Sequence, residues 1–167
     1  MSKLPMSELP MSESPMSELR SEFLFTFTVD VNRLHDVGTP PAGTLHIDLL
    51  GGGTVKGPKL NGTVMPGGMD QKRLRADGAM TPNVRLVLET DDNALIYMTY
   101  QGIRHGTPEV MRQIAEGIEI NQDDLYLRSA AFFETAAAQY DWLNRIVAVG
   151  VGWRMPKYAA YDVYQVL

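Results

Sequence analysis

From residue 22 onward the chain alternates. Phe23, Phe25, Phe27 and Val29 are separated by Leu24, Thr26, Thr28 and Asp30, a period of two that predicts a half-buried strand. The same texture returns at 44–50, 59–65, 84–90, 94–100, 125–133, 146–155 and 159–166, so about seven to nine strands are expected. Between them lie Gly38, Gly43, Gly51 to Gly53, Gly57-Pro58, Pro66-Gly67-Gly68, Asp77-Gly78, Pro82 and Asp91-Asp92-Asn93. Many of these residues adopt the positive φ angles of tight hairpins, so sequential strands should pair with their neighbours. Only 108–117 reads as a helix, with Thr107 as cap, Pro108 in the first turn, Val110, Met111 and Ile114 on one side, and Gly117 as its stop.

Many short strands at close spacing give an all-β fold. A single antiparallel barrel is favoured over a sandwich because closure removes exposed strand edges. Residues 1–21 carry the repeat MSKLP, MSELP, MSESP, MSELR, which offers nothing to a core and is expected to be a disordered or loosely attached tail. The barrel domain is then 22–167. A small barrel with one open end is a container for a small organic molecule.

Composition narrows the partners. Hydrophobic residues are 44% and charged residues 21% of the 167, which is globular and gives no support for a membrane protein. The 15 Lys and Arg are scattered and the net charge is −5, so no basic stripe is present to neutralise a phosphate backbone. The absence of Cys removes disulfides, thiolate metal sites and a cysteine nucleophile; it suits a reducing compartment, and a cytoplasmic location is the working expectation. Gly51-Gly52-Gly53 precedes neither a helix nor a Lys-Ser/Thr pair and reads as a turn, and no Gly-x-Ser-x-Gly elbow is present.

Three groups of residues are candidates for chemistry. Arg85, Tyr97, Arg128 and Glu134 lie on strands, and Asp77 precedes a turn glycine. If the strand residues point inward, Arg85 and Arg128 would hold an oxyanion, Tyr97 would donate a proton, and Asp77 or Glu134 would be the base. Alternation alone does not say which face is interior. The block YDWLNR brings Trp142 and Asn144 to the entrance of a long strand, either as a ligand-covering mouth or as a core plug and a loop cap. Arg104 and His105, next to the helix start, would attract an anion. His35, His46 and His105 share no ligand spacing, so neither a metal nor an organic cofactor is expected.

The segments FLFTFTVDV, GGGTVKGPKLNGTVMPGGMD, RADG, LETDDNALIYMTYQGIRHG, FFET, YDWLNRIVAVGVGWR and DVYQV follow one another in an order and spacing that resemble the family known as domain of unknown function 3237. The resemblance implies a barrel similar to the allene oxide cyclase and lipocalin-like group. Gln71 stands where that family often has an aromatic residue after the Asp of the PGGxD block.

Together these observations predict a cofactor-independent enzyme that acts on a small organic metabolite by acid-base chemistry, of lyase, isomerase or cyclase type. The alternative is a non-catalytic, lipocalin-like binder of a small apolar ligand. Converging Arg, Tyr and carboxylate groups in the interior would favour catalysis, and an apolar cavity would favour carriage. A homo-oligomer whose contacts cover Trp142 and Trp153 is a third reading.

Overall fold

The computed structural model describes residues 17–167; residues 1–16, which hold most of the repeat tail, lie outside the described residues. Eleven strands form one sheet: β1 (Ser21–Gly38), β2 (Thr44–Leu50), β3 (Gly53–Lys56), β4 (Gly62–Val64), β5 (Met69–Leu74), β6 (Met80–Thr81), β7 (Asn83–Thr90), β8 (Leu95–His105), β9 (Tyr126–Glu134), β10 (Ala148–Arg154) and β11 (Tyr158–Val166). The strand count exceeds the seven to nine expected because 53–56 and 69–74, which follow the glycine turns at 51–53 and 66–68 and carry no clear alternation, are extended and paired, and Met80–Thr81 adds a short strand. Helix α1 (Pro108–Ala115) stands where the sequence predicts it, with Val110 N–H donating to Thr107 Oγ1 at 3.3 Å. Two 3-10 turns, Gln122–Asp124 and Ala138–Arg145, complete the structure.

Every pairing among the described strands is antiparallel, and the sheet closes through β11 on β1 and β8 on β7. The wall forks at the 18-residue β1. Its first half pairs with β11 and β3, and β4 then carries the wall to β7. Its second half pairs with β2, and β5 reaches β7 by a second route. Register irregularities at Phe23/Phe25, Val31/Arg33 and Asp36/Gly38 let one strand follow both walls. A Cβ on Gly53 would overlap the Thr28 carbonyl, so only glycine lets β3 approach β1 this closely.

The fork divides the interior into two chemistries. Behind β3 and β4, Phe25, Val55, Val64, Leu86, Leu88, Ile96, Met98 and Phe133 are all buried, and Leu143 of the second 3-10 turn is fully covered against this core. Phe27 marks the boundary between the halves: its ring stacks on Tyr161 at 5.1 Å and 11°, and meets Tyr100 edge-on at 5.9 Å. Behind β2 and β5 the inward positions become polar.

Phe27 is 1% exposed and touches both halves. Phe27→Ala is therefore expected to lower the unfolding free energy by about 3–5 kcal/mol. Val37, exposed near the end of β1, is expected to tolerate Ala within about 0.5 kcal/mol. Urea titration of the two variants checks both values.

Candidate active site at the polar end of the barrel

Alternation within each strand, taken with burial, sets what reaches the interior. On β8 the inward series Ile96, Met98 and Tyr100 continues in phase to Gly102 and Arg104. On β2 the inward series runs His46, Asp48, Leu50, and register pairs Asp48 with Asp70 and His46 with Lys72 across β5. On β10 Gly150 and Gly152 face inward, and Arg154 follows in phase. A Cβ on Gly152 would stand 2.6 Å from Tyr161 Cε1, so this glycine provides the room for the phenol ring. Asp48, Asp70, Lys72, Tyr100, Arg104, Arg154 and Tyr161 thus meet at one end of the barrel. Asp48, Tyr100 and Tyr161 are buried, while Asp70, Lys72, Arg104 and Arg154 are half-buried, so the set descends from a solvent-reaching rim to a covered floor.

The electrostatics follow from that depth. Lys72 Nζ lies 2.5 Å from Asp48 Oδ2 and neutralises it. Asp70 accepts from Asn83 N–H at 3.0 Å, yet desolvation outweighs that bond and the nearby Lys72, and raises its carboxyl above the ordinary value. Burial pushes the Tyr161 phenol up to about 12, and the Asp70 charge adds to the shift. Tyr100 is raised well above its usual value, by burial first and then by Tyr161 and Asp70. Both phenols are protonated donors at neutral pH. Burial also lowers the basicity of Arg104 and of Arg154, each of which faces the Asp48 and Asp70 carboxylates.

Arg154 is oriented by the chain around it. Its guanidinium donates to the Met155 carbonyl and, at 2.9 Å, to that of Tyr158, while Gln122 Oε1 accepts from its backbone N–H at 2.9 Å. Arg104 Nε and Asp48 Oδ1 are buried without a protein hydrogen-bond partner. Buried polar atoms are nearly always paired, so these two are available to a bound molecule. The arrangement supplies two cationic groups for an oxyanion, a carboxyl poised to exchange a proton, and two phenols to orient polar atoms. Among the described residues no cluster of three His, Asp or Glu side chains has metal-holding geometry, and no helix is long and apolar enough to cross a membrane.

Of the residues singled out from sequence, Arg104 alone enters this interior set. Arg85, Tyr97, Arg128 and Glu134 all point outward, because Leu86, Met98, Leu127 and Phe133 hold the inward phase of the same strands. The inward orientation that their acid-base reading required is not met. Arg85 donates to Asn83 Oδ1 at 3.2 Å, and the Arg128 guanidinium lies 5.1 Å from the Tyr126 ring centre. Asp77 sits in an exposed turn paired with Arg75 at 2.6 Å. His105 stacks on Tyr126 at 4.9 Å outside the barrel, lining with Asp77 a surface groove of about 560 Å3. Asn144 caps the loop after β9, accepting from Thr135 N–H at 2.8 Å and donating to the Thr135 carbonyl at 2.9 Å. Trp142 packs on the apolar core at the opposite end, with Lys59 Nζ 5.6 Å from its ring centre.

Asp48, Asp70, Lys72, Tyr100, Arg154 and Tyr161 were not singled out from sequence. For Tyr100 and Arg104 a signal was present, since both share the parity of Ile96 and Met98.

A closed antiparallel barrel whose interior is apolar in one half and lined by charged groups and phenols at the other end is the class the structure defines. The chain belongs to the family described as "Protein of unknown function (DUF3237)", which it matches over residues 19–166. A relative from Rhodopseudomonas palustris, UPF0311 protein RPA1785, is 32% identical over 149 residues, spanning 89% of this chain and 97% of that protein. Its crystal structure superposes with a TM-score of 0.88, covering 91% of this chain and all of that one. A β-barrel like protein from Acinetobacter baumannii AYE, 35% identical, superposes at 0.80 over 93% of this chain and all of that one. A more distant relative, the hydroalkoxylation enzyme phnH of Penicillium herquei, is 26% identical over 129 residues, or 77% of this chain and 71% of that protein.

The raised Asp70 carboxyl has a consequence for stability. A carboxyl whose folded pKa exceeds its unfolded one binds more protons in the native state, so stability falls as pH rises from the unfolded value through the folded one. Asp70→Asn keeps an oxygen for Asn83 N–H and removes the buried charge. It is expected to melt above wild type at pH 7, with the gap closing as pH falls below the ordinary carboxyl value of about 3.9. Thermal melts at both pH values check the sign.

Proposed function

We propose that the protein is a cofactor-independent enzyme that moves a proton on a small organic molecule held in the polar half of the barrel, in a reaction of lyase, isomerase or cyclase type. The observation that carries this reading is the convergence of Asp70, Tyr100, Tyr161, Arg104 and Arg154 at one barrel end. Arg104 and Arg154 stabilise an oxyanion or enolate, and Asp70, protonated more readily than an ordinary carboxyl, gives or takes the proton. Tyr161 and Tyr100 donate hydrogen bonds that orient the substrate oxygen. A carrier of apolar ligands has less support, since its cavity would not need two arginines and a raised carboxyl.

The Penicillium herquei relative's name specifies hydroalkoxylation, the addition of an alcohol O–H across a carbon–carbon double bond. Applied to this chain, such a step fits the interior set without a redox partner. The substrate hydroxyl loses its proton as oxygen bonds to carbon, and the other alkene carbon gains one from the acid.

Incubation in D2O with a panel of small hydroxylated alkenes and enolisable carbonyl compounds, followed by mass spectrometry, tests the proposal. One solvent deuterium on carbon in the product is expected. Asp70→Asn and Tyr161→Phe should each cost about 10²–10⁴-fold in turnover of the substrate so identified. Unchanged turnover in both variants would remove the proposed site, and a loss confined to Tyr97→Phe would move the chemistry to the outer face.

A further inference from the structure

The outer face of β8, β9 and β10 is unusually apolar for a surface. Tyr97 (36% exposed), Ile103 (43%), Tyr126 (46%), Phe132 (52%), Val147 (47%) and Val149 (37%) all point to solvent from three adjacent strands. Contiguous apolar patches of this kind on a closed barrel mark interaction surfaces. The face also bears Arg128 and Glu134, of opposite sign, either side of Ala130 and Phe132 in the outward row of β9.

From this face we infer that a second copy of the chain docks here, about a two-fold axis that lies in the interface and runs across the strands near Ala131. Such an axis lays β9 antiparallel on the partner's β9, and register then decides every meeting. Arg128 comes over the partner's Glu134, and Phe132 over the partner's Ala130, large on small. Tyr97 is level with Glu134 on the neighbouring strand, and Ile103 with Arg128, so Tyr97 comes over the partner's Ile103. Thr99 and Gln101, level with Phe132 and Ala130, bring a hydroxyl over the partner's amide. Val149, level with Ala130, comes over the partner's Val147, one residue beyond the paired segment.

One operation therefore matches charge to opposite charge, bulk to a small residue and polar group to polar group, as an isologous interface requires. A hollow of about 300 Å3 edged by Arg85, Gln101 and Ala130 lies where the partner's Phe132 ring would seat. Three strands about 4.8 Å apart, over about eight residues each, cover roughly 400 Å2 in projection. That suffices for the apolar centre of an interface burying about 800 Å2 per partner. The proposal gives the outward Arg128, Glu134 and Tyr97 a role as a docking surface, while the barrel mouth stays free.

Sedimentation equilibrium on the full chain tests it, with circular dichroism melts to verify folding of each variant. Wild type is expected to be a dimer at micromolar concentration. Arg128→Glu and Glu134→Arg should each weaken association by about tenfold or more, because each sets like charges in contact across the axis. The double variant Arg128→Glu/Glu134→Arg should restore it to within about threefold of wild type, since swapping both partners preserves every pair. A monomeric wild type, or a dimer whose dissociation constant neither single variant changes, overturns the proposal. So does a double variant that remains as weak as the singles.

Discussion

The barrel depends on β1 serving two walls at once. Eighteen residues are too many to lie along one small barrel without bending, and the three register irregularities absorb that bend. Because β1 carries its pairing from β11 and β3 onto β2, the interior lies behind two different pairs of strands. The β3–β4 side encloses a core of apolar residues only. The β2–β5 side presents Asp48, Asp70 and Lys72, which would be costly inside a closed apolar interior but here lie toward an end that solvent reaches. The bend thus separates the apolar half of the interior from its charged half.

Within the polar half, depth sets the chemical character of each group. Asp48 is ion-paired with Lys72, whereas at Asp70 desolvation outweighs the Asn83 N–H bond and the nearby Lys72 and Arg104 charges and raises the carboxyl. Divergent environments for neighbouring acids are a usual means by which enzymes separate a charge-balancing role from a proton-transferring one. Tyr161 is seated by Gly152 and stacked on Phe27, so its hydroxyl is positioned by packing instead of by a flexible stem. Rigid placement of this kind is what electrostatic stabilisation of a developing oxyanion needs.

The two faces of β8 and β9 do different work with the same alternation. Inward, Met98, Tyr100, Leu127 and Phe133 build the core and the floor of the mouth. Outward, Tyr97, Arg128, Phe132 and Glu134 make a surface more apolar than solvent contact explains, yet balanced in charge. Polar residues inside apolar strands therefore need not belong to an active site, since an interface between copies asks for the same mixture.

Most strand positions, the helix at Pro108 and the turn glycines were determined by local chemistry, and so was the alternation of β7, where Val84, Leu86 and Leu88 occupy one phase and Arg85 and Glu89 the other. Burial of the aliphatic phase in the folded barrel then places Arg85 on the outside. On β10 the same rule misleads: Val149, Val151 and Trp153 face out while Gly150 and Gly152 face in, since the inward space is filled by Tyr161 and Leu127 from neighbouring strands. Apart from the parity that aligns Tyr100 and Arg104 with Ile96 and Met98, the membership of the mouth was decided by tertiary structure. Asp48, Asp70, Arg154 and Tyr161 come from four strands whose registers depend on the bend in β1 and on pairings as distant as Ser21 with Val166, and no local pattern carries that information.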